Sequence, residues 1–143
     1  MTDDQQSGDQ QNADGAQNAG DRQTIADALR TVQTYLDGLY AGDVDLLGEA
    51  FHEKARLFSA TEDELVALDV PAYLAIVAGR PSPASRGDAR VDEIVEVSPA
   101  GPSTVHVRVR NRYLPKQFTD DLVIVEDRGR WQIISKVWHY DLI

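Results

Sequence analysis

The pattern of apolar and polar positions divides the chain into a helical half followed by a stranded half. Apolar residues recur every three or four positions from Ile25 to Tyr40, which is the spacing of one buried helix face. In the second half they alternate with polar residues, which is the period of a strand with one buried face. Four consecutive strands joined by short turns are predicted there, over Ala89–Val97, Thr104–Tyr113, Phe118–Glu126 and Trp131–Tyr140.

The region between these halves predicts two further helices and two strands. Gly42 and Asp43 supply a helix stop followed by a helix cap. Pro71 is tolerated in the first turn of a helix, so a third helix begins just after Asp69. In order, the elements of this region are a helix over Val44–Ala50, strands over Ala55–Ala60 and Leu65–Leu68, a third helix ending at Gly79, and a loop over Arg80–Asp88.

The first 23 residues differ in composition from the rest of the chain. Met1–Gln23 has no large apolar residue after Met1, and its five aspartates against one arginine give a net charge of −4. Such a segment buries too little apolar surface to offset the entropy cost of ordering, which predicts a disordered tail. The domain is therefore predicted over residues 24–143, with Thr24 capping its first helix. The tail is interpreted as a solubilising extension or an interaction arm.

Composition excludes several classes of function. A chain of 143 residues is long enough for one domain with a hydrophobic core. Its net charge of −10 argues against binding nucleic acid or an anionic membrane surface. The absence of cysteine excludes disulfides, a thiol nucleophile and thiolate metal sites. With no signal-peptide pattern at the N-terminus, we expect a cytoplasmic protein. We also expect that the protein uses no metal and no cofactor.

The predicted strands give the first indication of a pocket and of an interface. Burial of the valine face of Thr104–Tyr113 places Asn111 and Tyr113 on the core side, while the arginines on the other face are expected to pair with acidic residues of neighbouring strands. The last strand carries apolar side chains on both faces. Ile134 and Trp138 are assigned to its outer face, which predicts a homodimer interface there.

Four segments in this order resemble a known family. They are Y-L-D-G-L-Y-A-G-D (Tyr35–Asp43), A-F-H-E-K-A-R-L (Ala50–Leu57), F-T-D-D-L (Phe118–Leu122) and W-Q-I-I-S-K-V-W-H (Trp131–His139). The chain resembles the nuclear transport factor 2-like (SnoaL-like, NTF2-like) superfamily, in the branch called putative lumazine-binding. The resemblance implies an α+β cone, with three helices on a strongly curved mixed sheet, a cavity at the open end and a homodimer formed through the sheet. One departure is Asp121, which stands where the branch usually has an aromatic residue.

Relatives in this superfamily that isomerise or cyclise their substrates use a cavity carboxylate or histidine as the base. No catalytic residue of a relative can be placed on a particular position of this chain. The candidates for such a base here are Asp120 and His139, and a partly desolvated Asp120 would have a raised pKa. Structural roles are the alternative, namely a hydrogen bond for Asp120, packing at the strand end for His139 and a local backbone contact for His52. The full set of candidate ligand-binding residues is Tyr35, His52, Asn111, Tyr113, Asp120 and His139.

Three functions are compatible with these residues. The first is a small-molecule-binding protein with its ligand in the cone. The second is a cofactor-free isomerase, cyclase or dehydratase that uses Asp120 or His139. The third is a dimeric protein-interaction module whose cone is filled by side chains. An empty volume inside the cone would favour the first two, and a filled cone would favour the third.

Overall fold

A computed structural model describes the backbone of residues 2–143 and the side chains of residues 19–143. The helices are α1 (Thr2–Ala41), α2 (Val44–Ala50) and α3 (Val70–Ala78). The strands are β1 (Phe51–Ser59), β2 (Val66–Asp69), β3 (Asp92–Pro99), β4 (Thr104–Tyr113), β5 (Lys116–Asp127) and β6 (Arg130–Leu142). The predicted cap at Thr24 is wrong, because α1 runs without a break through Gln23 and Thr24. The predicted tail over residues 1–23 stays a prediction, and the side chains of residues 1–18 lie outside the described range.

The six strands form one mixed sheet in the order β2-β1-β6-β5-β4-β3. Strands β3 to β6 form an antiparallel meander, because the turns between them are short. Strand β1 pairs with β6 in the parallel direction, and β2, α3 and the strands β3 to β5 lie between them in sequence. The helices pack on one face of this sheet, and the fold is the predicted α+β cone.

The helix boundaries follow from local chemistry. Gly42 ends α1 with φ +66°, a left-handed conformation in which a Cβ would come within 2.8 Å of the Ser82 Cβ. The Asp43 carboxylate then accepts hydrogen bonds from the first-turn amides of α2, and the Asp69 carboxylate accepts from the Ala72 amide of α3. The predicted bounds of α2 and of β4 are confirmed, as is the predicted end of the third helix at Gly79.

A β-bulge in β6 changes which side chains face the helices. Val123 pairs with Ser135 but Ile124 pairs with Ile133, so Ile134 is the extra residue. Both Ile133 and Lys136 are consequently buried, although strict alternation would place them on opposite faces.

The bulge corrects the predicted dimer anchor. Beyond it the core-facing residues are Lys136 and Trp138, and Trp138 packs against the hydrophobic core. The assignment of Trp138 to the outer face is therefore wrong. A homodimer through the outer sheet face stays a prediction, and Ile134 is the remaining residue predicted to lie in its interface.

Candidate functional site

A cavity of about 180 Å³ lies between α3 and the concave face of the sheet. It is walled by the end of α1, by α3 and by five of the strands, β1, β2, β4, β5 and β6. Its aromatic side chains come from α3, β4, β5 and β6: they are Tyr73, Tyr113, Phe118, Trp138 and Tyr140. Aliphatic side chains, among them Leu39, Val66 and Leu68, complete the apolar part of the wall.

A buried carboxyl group lies behind this wall. Asp120 on β5 is 1% exposed. Its Oδ2 accepts hydrogen bonds from the Tyr35 hydroxyl at 2.5 Å and from Asn111 Nδ2 at 2.8 Å. Its Oδ1 is buried and has no hydrogen-bond partner among the described residues. Asn111 also lines the cavity, so it connects the carboxyl group with the open volume.

Tyr35 is held as a neutral phenol by its surroundings. Its side chain is fully buried, and burial is the main cause that raises its pKa well above the ordinary value of a tyrosine. The negative charge of Asp120 raises the pKa of Tyr35 further. The phenol therefore acts as a hydrogen-bond donor to Asp120 over the whole physiological pH range.

Tyr113 lies at the rim of the cavity beside the loop that follows α3. Its hydroxyl donates a hydrogen bond to the Pro81 carbonyl oxygen. The guanidinium of Arg80 lies 4.2 Å from the centre of the Tyr113 ring, which is a cation–π contact. The Arg80 Nε is buried and has no hydrogen-bond partner among the described residues.

Lys136 is the cavity residue that sequence reasoning missed. It is 5% exposed, and its ammonium lies 4.7 Å from the ring centre of Tyr73, 5.1 Å from that of Tyr35 and 5.2 Å from that of Trp138. Its Nζ also donates a hydrogen bond of 3.3 Å to the Tyr73 hydroxyl. The signal in the sequence was the alternating pattern of β6, which places Lys136 on the same face of the strand as the apolar residue Trp138.

The structure brings four of the six predicted site residues together and leaves two elsewhere. Tyr35, Asn111 and Asp120 are hydrogen-bonded to one another, and Tyr113 lines the same cavity as Asn111. The expectation that His139 converges with them is wrong. The bulge in β6 turns His139 outward, where it contacts the Thr61 hydroxyl and the Asp141 carboxylate.

His52 is also remote from the cavity. Its Nδ1 accepts a hydrogen bond from the Lys54 amide at 3.0 Å, and its Nε2 lies 2.8 Å from Asp127 Oδ2. This geometry is the local backbone contact that was the alternative interpretation. The contact with His52 lowers the pKa of Asp127, mainly through this hydrogen bond.

The departure at Asp121 has a structural explanation. Asp121 points to the outer sheet face, where both of its carboxylate oxygens accept hydrogen bonds from Arg108. His106 Nε2 lies 3.1 Å from the same carboxylate. The predicted pairing of the arginine stripe with a neighbouring strand is thus confirmed at Arg108.

The described residues contain no group of three histidine or acidic side chains placed to hold a metal ion. A search of the same residues finds no helix long and apolar enough to cross a membrane.

The fold and the cavity define a protein of the NTF2-like class, and comparison with known families agrees. The family model described as "Putative lumazine-binding" matches residues 23–139, and the chain belongs to this family. No match is found among curated proteins.

Solved structures with the same fold include several NTF2-like proteins. One from Silicibacter pomeroyi DSS-3, of unknown function, is 27% identical with a TM-score of 0.74, and the match covers 84% of this chain and 98% of the other. One from Shewanella baltica OS155, also of unknown function, is 19% identical with a TM-score of 0.74, covering 85% and 96%. A ketosteroid isomerase-like protein from Erwinia carotovora atroseptica SCRI1043 is 12% identical with a TM-score of 0.65, covering 81% and 95%. The last two show the fold alone.

Proposed function

We propose that this chain is a small-molecule-binding protein whose ligand occupies the cavity at the open end of the cone. The observation that carries the proposal is the cavity itself, an open volume of about 180 Å³ lined by aromatic rings. Protein interiors are packed with few voids larger than a water molecule, so a space of this size between α3 and the sheet favours a ligand site over a filled cone.

The size and lining of the cavity favour a small, flat ligand. Its volume is below the roughly 300–1,000 Å³ of pockets that take drug-sized molecules, which suits a compound of one or two rings. The rings of Tyr73 on α3 and Trp138 on β6 offer stacking surfaces to such a compound. Asn111 and Lys136 offer hydrogen-bond donors that would fix its orientation.

A second candidate function is catalysis by Asp120. The observation that favours it is the buried Oδ1 atom of Asp120, an acceptor with no partner among the described residues, which a ligand would have to reach past Asn111 in the cavity wall. Tyr35 and Asn111 hold the other carboxylate oxygen, so the carboxyl group has a fixed orientation. In this function Asp120→Asn would abolish turnover and leave ligand affinity nearly unchanged, whereas a binding protein would show no turnover to lose.

Tryptophan fluorescence tests the binding proposal directly. The chain has two tryptophans, and Trp131→Phe would leave Trp138 in the cavity wall as the single reporter. We expect a saturable change in Trp138 emission when this variant is titrated with a panel of one- and two-ring compounds that are anionic, neutral or cationic.

A matched pair of substitutions controls for binding elsewhere. Val66→Phe adds a ring inside the cavity and should abolish the response. Val95→Phe adds the same ring at a position of β3 that is 40% exposed, and it should leave the response unchanged. A panel that gives no saturable response, or a response that survives Val66→Phe, would contradict the proposed function.

A further inference from the structure

The charge on the cavity wall is opposite in sign to that of the whole chain. The charged residues that line the cavity are three cations and one anion, namely Arg80, Lys116, Lys136 and Glu62. The chain as a whole carries a net charge of −10. A local excess of positive charge inside an acidic protein concentrates anions at that place.

Lys136 is a buried cation with unfilled hydrogen-bonding capacity. An ammonium has three donors, and in the described part of the chain the only acceptor within hydrogen-bond distance of the Lys136 Nζ is the Tyr73 hydroxyl. No carboxylate of the described residues lies within ion-pair distance of this Nζ. A buried charge without a paired countercharge is costly, so an anion bound beside Lys136 would be strongly favoured.

Arg80 provides a second cation with a free donor. Its guanidinium is stacked on the Tyr113 ring, which fixes its plane at the cavity rim. The buried Nε finds no acceptor among the described residues. A guanidinium plane of this kind matches the two oxygens of a carboxylate, which it binds with two parallel hydrogen bonds.

The acidic side chains near the cavity already have hydrogen-bond donors. Glu62 at the rim accepts a hydrogen bond of 2.5 Å from the Tyr140 hydroxyl. Asp120 behind the wall accepts from Tyr35 and Asn111 through one oxygen. The cations are therefore the charged groups available to a ligand. Lys116 lies over the Tyr140 ring at 4.2 Å, and Lys136 and Arg80 are the two with buried donors that lack acceptors.

We propose that the ligand is a flat, conjugated monoanion, such as an aromatic carboxylate, whose acidic group is bound by Lys136 and Arg80 and whose ring lies between Tyr73 and Trp138. This inference rests on the proposed function and adds the chemical class of the ligand. The aromatic wall favours a flat ligand, and the two cations favour a negatively charged one.

A pair of matched probes separates charge from shape. Naphthoate and naphthamide have the same ring system and nearly the same size, but only naphthoate is charged at neutral pH. Isothermal titration calorimetry on the full chain should give a Kd for naphthoate at least about tenfold lower than that for naphthamide, a difference of about 1.4 kcal/mol.

Substitutions test whether Lys136 and Arg80 cause the preference for naphthoate over naphthamide. Lys136→Met keeps an apolar chain among the rings and removes the charge, so it should raise the Kd for naphthoate about tenfold or more and change the Kd for naphthamide less than about twofold. Arg80→Met should act in the same direction. Arg110→Met removes one positive charge from an exposed position of β4 and should change neither Kd, and retained naphthamide binding reports that each variant is folded.

The possible failures are distinguishable. Equal affinity for the two probes would overturn the anionic ligand class and leave the proposed binding function intact. A preference for naphthoate that survives Lys136→Met and Arg80→Met would overturn the assignment to these residues. If neither probe binds, the ligand class is overturned, and the Trp138 titration with the charge-varied panel then decides whether the cavity binds small molecules at all.

Discussion

The Tyr35 hydroxyl on α1 lies 2.5 Å from Oδ2 of Asp120 on β5, across 85 positions of sequence. Tyr35 is completely buried and Asp120 is 1% exposed, so this contact joins the first helix to the middle of the sheet in a water-poor environment. The contact lies behind the cavity wall, because neither Tyr35 nor Asp120 lines the cavity. Asn111 donates to the same carboxyl group and lines the cavity, so the contact connects the first helix with the cavity wall.

Replacing Tyr35 by phenylalanine should destabilise the protein. The substitution removes one of the two donors to the Asp120 carboxyl group and keeps the ring that packs against Phe51. Loss of a hydrogen bond to a buried charged group costs about 1.5–3 kcal/mol. Urea denaturation should show this loss in the free energy of unfolding.

Tyr40→Phe is the matched control for that experiment. The Tyr40 hydroxyl donates to the backbone carbonyl of Asp88 at a half-buried position, and a neutral hydrogen bond of this kind is worth about 0.5–1.5 kcal/mol. A smaller loss is therefore expected than for Tyr35→Phe. Equal losses in the two variants would contradict the special position of the Tyr35–Asp120 contact.

The phenol of Tyr35 should also be the last tyrosine to ionise. Burial raises its pKa above the value of about 10 that it has in the unfolded chain, so the folded state retains the proton when the unfolded state has lost it. This contribution to stability is complete below about pH 10 and is lost as the pH rises further. A phenolate absorbance titration of the five tyrosines should lose its last step in Tyr35→Phe. A titration in which that variant loses an early step would contradict the buried position of Tyr35.

Asp121 should control part of the acid sensitivity of the sheet. The hydrogen bond from Arg108, with a further one from His106, lowers the pKa of Asp121 in the folded state. Its contribution to stability is therefore present above the unfolded pKa of about 3.9 and is lost as the pH falls through the lower, folded value. Below about pH 4, the urea midpoint should fall less steeply in Asp121→Asn than in the wild-type protein.

Asp63→Asn provides the comparison for this pH profile. Asp63 is exposed and makes no hydrogen bond or ion pair with the residues that the structure describes. Asp63→Asn therefore removes a carboxylate without removing a described contact, and its pH profile is the one to compare with that of Asp121→Asn. Identical profiles for Asp121→Asn and the wild-type protein would contradict the role of the Arg108–Asp121 pair.

The order and type of the elements could be predicted from sequence, but the orientation of the last strand could not. Helix caps such as Asp43 and Asp69 and the alternation of β4 are local signals, and the elements they define agree with the structure. The bulge at Ile134 is set by pairing with β5, which no local pattern of β6 encodes. Because of this one extra residue, Trp138 faces the core and His139 faces outward, which is the reverse of the faces predicted from the sequence.

Part of the candidate site could be predicted from the sequence. Asn111, Tyr113 and Asp120 were found because they share a face with buried valine or leucine neighbours along their strands. Lys136 was missed because a lysine in a strand is ordinarily solvent-exposed, and its burial depends on the rings of Tyr35 and Tyr73, which come from the distant elements α1 and α3.

Because Trp138 faces the cavity and not the outer face of the sheet, its substitution should affect the cavity and not the oligomeric state. Because its ring lines the cavity, Trp138→Ala should enlarge the cavity and leave the sedimentation coefficient of the protein unchanged. Ile134→Lys, at the bulge, is the variant that tests the predicted homodimer. A change of oligomeric state caused by Trp138→Ala would contradict the inward orientation of this side chain.

The most direct test of the central claim is a crystal structure of the protein with naphthoate. We predict ligand density inside the cavity, with the ring stacked on Trp138 and the carboxylate within hydrogen-bond distance of the Lys136 Nζ and the Arg80 guanidinium. Density for the ligand outside the cone, or a cavity closed by the side chains of Tyr73 and Trp138, would contradict the claim.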